Sequence, residues 1–269
     1  MINAVMKFIG GLFFFLVCVI NSLSAYNLRQ VTNSDGLTSS AVLSLLQDSN
    51  GFLWMGTCDG VNIYDGTKAY SWNGWGQLNL SGYIIEEILE THDGVIWVQT
   101  NYGLSKVDKE KRLVVDYPQF KGSYMMVKNE LGNLFFFSSS NLLYAFNEKK
   151  QEFYRLPIGT LDREDIVNLY VNEHYLIIFL KNEIIYYQMK HSPEGEYTLS
   201  TINTSEKTEV RYGFGDKNQV YWLDKDYNLF GYSLDKPVKK LICNWKEALD
   251  GRGTIVDILL LLHFKQMVY

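Results

Sequence analysis

Gln47-Asp48-Ser49-Asn50-Gly51-Phe52-Leu53-Trp54-Met55-Gly56-Thr57-Cys58-Asp59-Gly60-Val61-Asn62-Ile63-Tyr64-Asp65 is the stretch on which the fold turns, because it returns. Preceded by Val42-Leu43-Ser44-Leu45-Leu46, it aligns without gaps to Ile84-Ile85-Glu86-Glu87-Ile88-Leu89-Glu90-Thr91-His92-Asp93-Gly94-Val95-Ile96-Trp97-Val98-Gln99-Thr100, followed by Tyr102-Gly103-Leu104. Weaker copies centre on Phe135, Ile177 and Tyr221. With Trp54, Trp97, Phe135, Ile177 and Tyr221 equivalent, successive offsets are 43, 38, 42 and 44 residues. That spacing falls in the roughly 40–50 residue period of propeller blades.

Each copy has one grammar: a short apolar strand, a turn, a strand carrying a large side chain, a second turn, and an alternating strand. Asp48 with Gly51, and Asp93 with Gly94, supply a self-bonding side chain and a glycine for positive φ, as tight turns require. Thr57 with Gly60, and Thr100 with Gly103, bracket the second turn. A looser outer segment, residues 68–72 or 112–117, completes four antiparallel strands. The expectation is all-β: a partial β-propeller of about five four-stranded antiparallel blades plus a stub. Blades are expected at about 40–80, 83–120, 123–160, 165–203 and 209–247, with the start of another at 253–269. An immunoglobulin-like sandwich also alternates strands and turns, but it does not need one motif repeated in phase.

Composition agrees with strands. The chain has 269 residues, 47% hydrophobic and 15% aromatic, ample for a core and suited to a pleated surface. A net charge of -5, with its 25 Lys and Arg scattered, supplies no basic footprint for nucleic acid. Residues 1–25 differ: Lys7 leads into an apolar run, Phe8 to Ile20, then small polar residues to Ala25. This predicts a secretory signal peptide; the run is too short for the roughly 20 residues of a spanning helix. Cys18 follows Val17 instead of a small residue, which argues against a lipid anchor. Cys58 and Cys243 then remain, in no ligand spacing, and are expected as buried thiols in preference to a disulfide.

The 47–65 stretch resembles the two-component regulator propeller repeat, and Asp35-Gly36-Leu37-Thr38-Ser39-Ser40-Ala41-Val42 resembles the opening of that sensor region. Such repeats occur in the periplasmic sensing part of hybrid two-component histidine kinases of Bacteroidetes-type bacteria. The resemblance implies sensing of polysaccharide breakdown products, an oligosaccharide ligand, and a homodimer in the intact sensor. Kinase, receiver, membrane helix and DNA-binding module are not in this sequence. His263 precedes Phe264-Lys265, unlike a phosphoacceptor motif, so no kinase activity and no cofactor are expected here. Membrane contact is expected only through missing C-terminal segments. The run after Leu259 lacks the turn and aromatic strand of a sixth blade, as truncation or a frame shift would leave it.

Other chemistry finds little support. Asp48 to Trp54 lacks the alternating acids of a calcium loop, and Asp224-Lys225-Asp226-Tyr227-Asn228 has Leu229 where that loop needs glycine. His92, His174, His191 and His263 have no metal-ligand spacing. No Gly-x-Ser-x-Gly elbow occurs, and a glycosidase carboxylate pair is a spatial feature that sequence does not show. Candidate ligand-binding residues are Trp72, Trp75 and Tyr83, around Gly74, Gly76 and Gly82. Exposed aromatic faces on such a connection suit sugar stacking, whereas Trp72 at a strand end equally suits packing between blades. A periplasmic, non-enzymatic glycan sensor is the leading expectation. A secreted polysaccharide-cleaving propeller enzyme and a protein-interaction scaffold are the alternatives.

Overall fold

A computed structural model describes residues 30–72, 80–92, 94–202, 206–235 and 238–244. The expected signal segment, Trp75, Asp93 and the stub at 253–269 lie outside the described residues. All strands belong to the unit that begins at Asn33.

Five sheets follow one another along the chain. The first holds β1 (Val42–Gln47), β2 (Leu53–Thr57), β3 (Gly60–Tyr64) and β4 (Ala69–Trp72), in that spatial order. The second holds β5 (Ile85–Glu90), β6 (Ile96–Thr100), β7 (Gly103–Asp108) and β8 (Leu113–Tyr117). The third holds β9 (Tyr124–Lys128), β10 (Leu134–Phe137), β11 (Leu143–Asn147) and β12 (Glu152–Arg155). The fourth holds β13 (Ile166–Val171), β14 (Tyr175–Leu180), β15 (Glu183–His191) and β16 (Tyr197–Thr201), and a two-residue strand, β17 (Glu206–Lys207), pairs with β15 beside β16. The fifth holds β18 (Tyr212–Asp216), β19 (Gln219–Leu223), β20 (Asn228–Ser233) and β21 (Lys239–Asn244). All pairs within them are antiparallel, as short hairpin turns dictate.

The first strands stack in chain order: β1 on β5, β5 on β9, β9 on β13, and β13 on β18. Among the described residues, β1 and β18 do not pack on one another as these neighbours do. Alternation along each strand gives every sheet two apolar faces. Trp54, Trp97, Phe135, Ile177 and Tyr221 occupy one register, opposite Leu46, Leu89, Val127, Tyr170 and Phe214 on the first strand of each sheet. These form the front face. The next residues, Met55, Val98, Phe136, Ile178 and Trp222, form the back.

Each core cluster is one front against the following back. Trp54, Val61 and Ile63 meet Ile88, Ile96, Val98 and Val107. Trp97 and Leu104 meet Phe136 and Phe146, and Phe135 and Leu143 meet Leu176 and Ile178. Ile177, Phe179 and Tyr186 meet Val220, Trp222 and Tyr232. The last junction needs glycine: a Cβ at Gly213 would stand 2.1 Å from the Phe179 ring, and one at Gly215 2.2 Å from the Tyr170 ring.

Local geometry accounts for the repeated turn residues. In the first turn, Asp48 Oδ1 accepts from the Asn50 and Phe52 amides, each at 3.0 Å, and Oδ2 accepts from the Trp54 indole at 2.9 Å. Gly51 carries φ +86° and Gly94 +74° in the equivalent turns. In the second turn, Thr57 Oγ1 donates to the Gly60 carbonyl at 2.9 Å and accepts from the Asp59 amide at 3.0 Å. Thr100 repeats both bonds with Gly103 and Tyr102, at 3.2 and 3.1 Å. Asp224 forms the same kind of turn, accepting from the Asp226 and Asn228 amides. The two thiols are free, but Cys58 is exposed on the second turn and Cys243 is half-buried in β21, so neither is the buried thiol expected. Both fall where a strand runs out toward solvent.

Candidate functional site

Antiparallel topology sends the second turn of every sheet, and the segment leading into its first strand, to one common edge. Tyr83 lies there, just before β5, with 57% of its surface exposed. Its carbonyl accepts from the Gly60 amide at 2.7 Å, which anchors it against the second turn of the first sheet. Close packing holds the backbone beside it, since a Cβ at Gly82 would stand 2.6 Å from Asn101 Oδ1. The ring is thus presented by a fixed main chain.

Trp72 is placed differently. It ends β4 half-buried, its ring 5.9 Å from that of Trp54, and it packs against the cluster between the first and second sheets. Trp75 lies outside the described residues.

The same edge carries features that sequence pattern did not single out. Lys121, leading into β9, sits 4.7 Å over the ring of Tyr102, which is 43% exposed in the second turn of the second sheet. Arg163, leading into β13, lies 4.2 Å over Tyr124, and Arg211, leading into β18, lies 4.8 Å over Tyr227. Burial raises the Tyr124 hydroxyl above its ordinary range, opposed by Arg163, and the hydroxyl donates to Asn141 Oδ1 at 2.9 Å. Cation and ring come from different segments in each case, so only the fold could pair them.

The opposite edge is occupied by structure. Lys109 Nζ lies 2.9 Å from both Asp48 Oδ2 and Glu90 Oε1. Glu90 also accepts from the Ser49 amide and hydroxyl, at 2.7 and 2.8 Å, and its carbonyl accepts from Lys128 Nζ at 2.6 Å. This cluster ties the first three sheets. Burial works to raise the Asp48 carboxyl, but the bonds from Lys109, the Trp54 indole and the Phe52 amide prevail and hold it below the usual carboxylate range. Between the two edges, Glu87 on β5 accepts from Ser44 Oγ at 3.2 Å, and desolvation lifts its carboxyl to about 7. Among the described residues, no group of three or more His, Cys, Asp or Glu is placed to hold a metal ion, and no helix is long and apolar enough to cross a membrane.

Residues 36–59 match the family model described as the two component regulator propeller. None of the curated proteins matches the chain. Solved structures resemble it over most of its length. Virginiamycin B lyase from Staphylococcus aureus aligns with a TM-score of 0.52 and 11% identity over 80% of this chain and 73% of that one. An extracellular domain assigned to a hybrid two component system of B. thetaiotaomicron aligns with a TM-score of 0.51 and 16% identity, over 80% of this chain but 37% of its own. The β-propeller domain of Cps50 (Swd1) from Myceliophteria thermophila gives 0.53 and 10%, over 76% and 73%. At such identities the likeness carries the fold alone. Sheet order, face-to-face cores and the matched segment converge: the chain is an all-β protein of propeller blades that carries a two-component regulator propeller repeat.

Proposed function

We propose that this chain is the ligand-sensing part of a periplasmic two-component sensor, without catalysis of its own, and that its ligand is an oligosaccharide fragment. The observation that carries the proposal is the regulator propeller match at residues 36–59, laid on the first sheet, with its Thr57–Gly60 turn repeated by Thr100 and Gly103 in the second. The extracellular-domain relative supports the same role, and this chain spans 37% of that domain. In the intact sensor, a ligand favouring one arrangement of a dimer would bias signalling by its differential affinity alone.

Tyr83 is the side chain on which we place ligand stacking, on the edge shared with Tyr102 and Lys121. Trp72 and Trp75 remain part of the proposed site, Trp72 as a half-covered ring beside it. Calorimetric titration of the whole chain with a panel of oligosaccharides tests this. Saturable binding without cleavage, weakened about tenfold by Tyr83→Ala as expected for a lost stacking contact, supports the sensor. Chromatographic detection of cleaved product would favour the polysaccharide-cleaving enzyme instead. Binding to a protein alone would favour the scaffold.

A further inference from the structure

Gln99 is a polar side chain in an apolar register. It follows Trp97 by two residues, and its equivalents in the other sheets are Gly56, Phe137, Phe179 and Leu223. It is 3% exposed, and its amide nitrogen donates to Glu86 Oε2 and to the Ser123 carbonyl, each at 2.9 Å. Both partners only accept, which fixes the nitrogen end of the amide. Gln99 Oε1 and the hydroxyl of Ser123, a residue 1% exposed, are then buried with no partner. Orphaned polar atoms cost stability, and glycine or an apolar residue fills this register in the other four sheets, so the fold does not call for Gln99.

Glu86 is what Gln99 holds. A β-bulge interrupts β1, β5 and β13 at one register and frees Leu43, Glu86 and Val167 from the ladder. Bulges re-aim side chains and recur beside functional sites. Two of the freed residues are apolar, and the third is an exposed carboxylate. Among the described residues, Gln99 alone bonds that carboxylate, through one oxygen, which leaves Oε1 free to accept. Glu86 follows Tyr83 by three residues, Gln99 is penultimate in β6 before the turn that carries Tyr102, and Ser123 follows Lys121 by two. All three residues therefore lie at the edge on which ligand stacking is proposed.

We infer that Glu86, positioned by Gln99 and Ser123, is a hydrogen-bond acceptor for hydroxyls of a neutral sugar at that edge. The inference rests on the oligosaccharide reading and narrows it. A carboxylate accepts without donating, so the group it takes must donate, and a ligand carboxylate or sulfate would be repelled. Hydroxyls of uncharged sugars meet both conditions.

Calorimetric titration of the full chain with neutral tetrasaccharides of glucose, mannose, galactose and xylose, and with tetragalacturonate, is the test. At least one neutral sugar is expected to bind, and more tightly than tetragalacturonate. Glu86→Gln keeps the shape and removes the charge, and is expected to weaken that binding about 10- to 100-fold, as for a lost hydrogen bond to a charged group. Matching urea midpoints show that the variant folds like wild type. Gln99→Met is expected to weaken binding about threefold to tenfold, and to weaken it no further once Glu86→Gln is present, because it acts through the carboxylate. Losses that simply add overturn that positioning role. Binding that Tyr83→Ala weakens but Glu86→Gln does not, or a preference for tetragalacturonate, overturns the inference while the oligosaccharide reading stands. A wild type that binds none of these sugars overturns that reading, and the inference with it.

Discussion

At the scale of residues, the repeat motif is explained by hydrogen bonds more than by apolar burial. Asp48 closes its turn and also satisfies the buried Trp54 indole, so one carboxylate secures both a backbone reversal and a core side chain. Asp48→Asn should cost about 1–3 kcal/mol at pH 7, read as a shift in the urea midpoint. Because the folded carboxyl lies below its unfolded value, the contribution is full above about pH 4 and is lost as pH falls through the folded value. The gap between the two proteins should therefore narrow in acid. Glu87 has the opposite sign. Its folded carboxyl stands at about 7, so the folded state holds a proton that the unfolded state releases, and stability falls as pH rises from about 4 toward 7. Glu87→Gln should stabilise by about 1–2 kcal/mol at pH 7.5 and be neutral at pH 4, by the same titration. Neither Lys109 nor Glu90 stood out in the sequence, since residues 19 apart acquire a common partner only when two sheets stack.

Among the elements, what could be foreseen depended on side-chain size. Two tryptophans marked the first two copies, and the spacing carried the rest while Phe135, Ile177 and Tyr221 replaced them. The short pairing of β17 was invisible because two residues carry no periodicity. The ligand site was the least legible part. Trp72 looks alike as a stacking platform or an inter-sheet wedge until its 5.9 Å approach to Trp54 is seen. Exposure at Tyr83, likewise, is a property of the assembled edge. Junctions between elements should respond to volume more than to polarity. Gly213→Val would drive a side chain into the Phe179 ring, and overpacking of that kind costs about 1–3 kcal/mol or more. Ile184→Val, at the same junction, should cost about 0.5–1.5 kcal/mol by denaturant titration.

For the whole molecule, stability in a stacked array is approximately a sum of sheet terms and nearest-neighbour terms. Gly213→Val should therefore loosen the fifth sheet without melting the first three. Amide exchange is the measurement: protection is expected to fall in β18 to β21 and to persist in β1 to β12. Uniform loss of protection would show that all five sheets act as one cooperative unit.

The glycines of β18 have a further consequence. Phe179 and Tyr170 project from the fourth sheet into space that exists only because residues 213 and 215 lack side chains, whereas the equivalent of Gly213 on the first sheet is Leu45. The units have therefore ceased to be interchangeable parts. A circularly shuffled gene that set the fourth unit before the first would confront the Phe179 ring with Leu45 and the Tyr170 ring with Gln47, the equivalent of Gly215. Sequence order along the gene is thus enforced twice, once by the peptide chain and once by a lock-and-key address written into the fourth and fifth units.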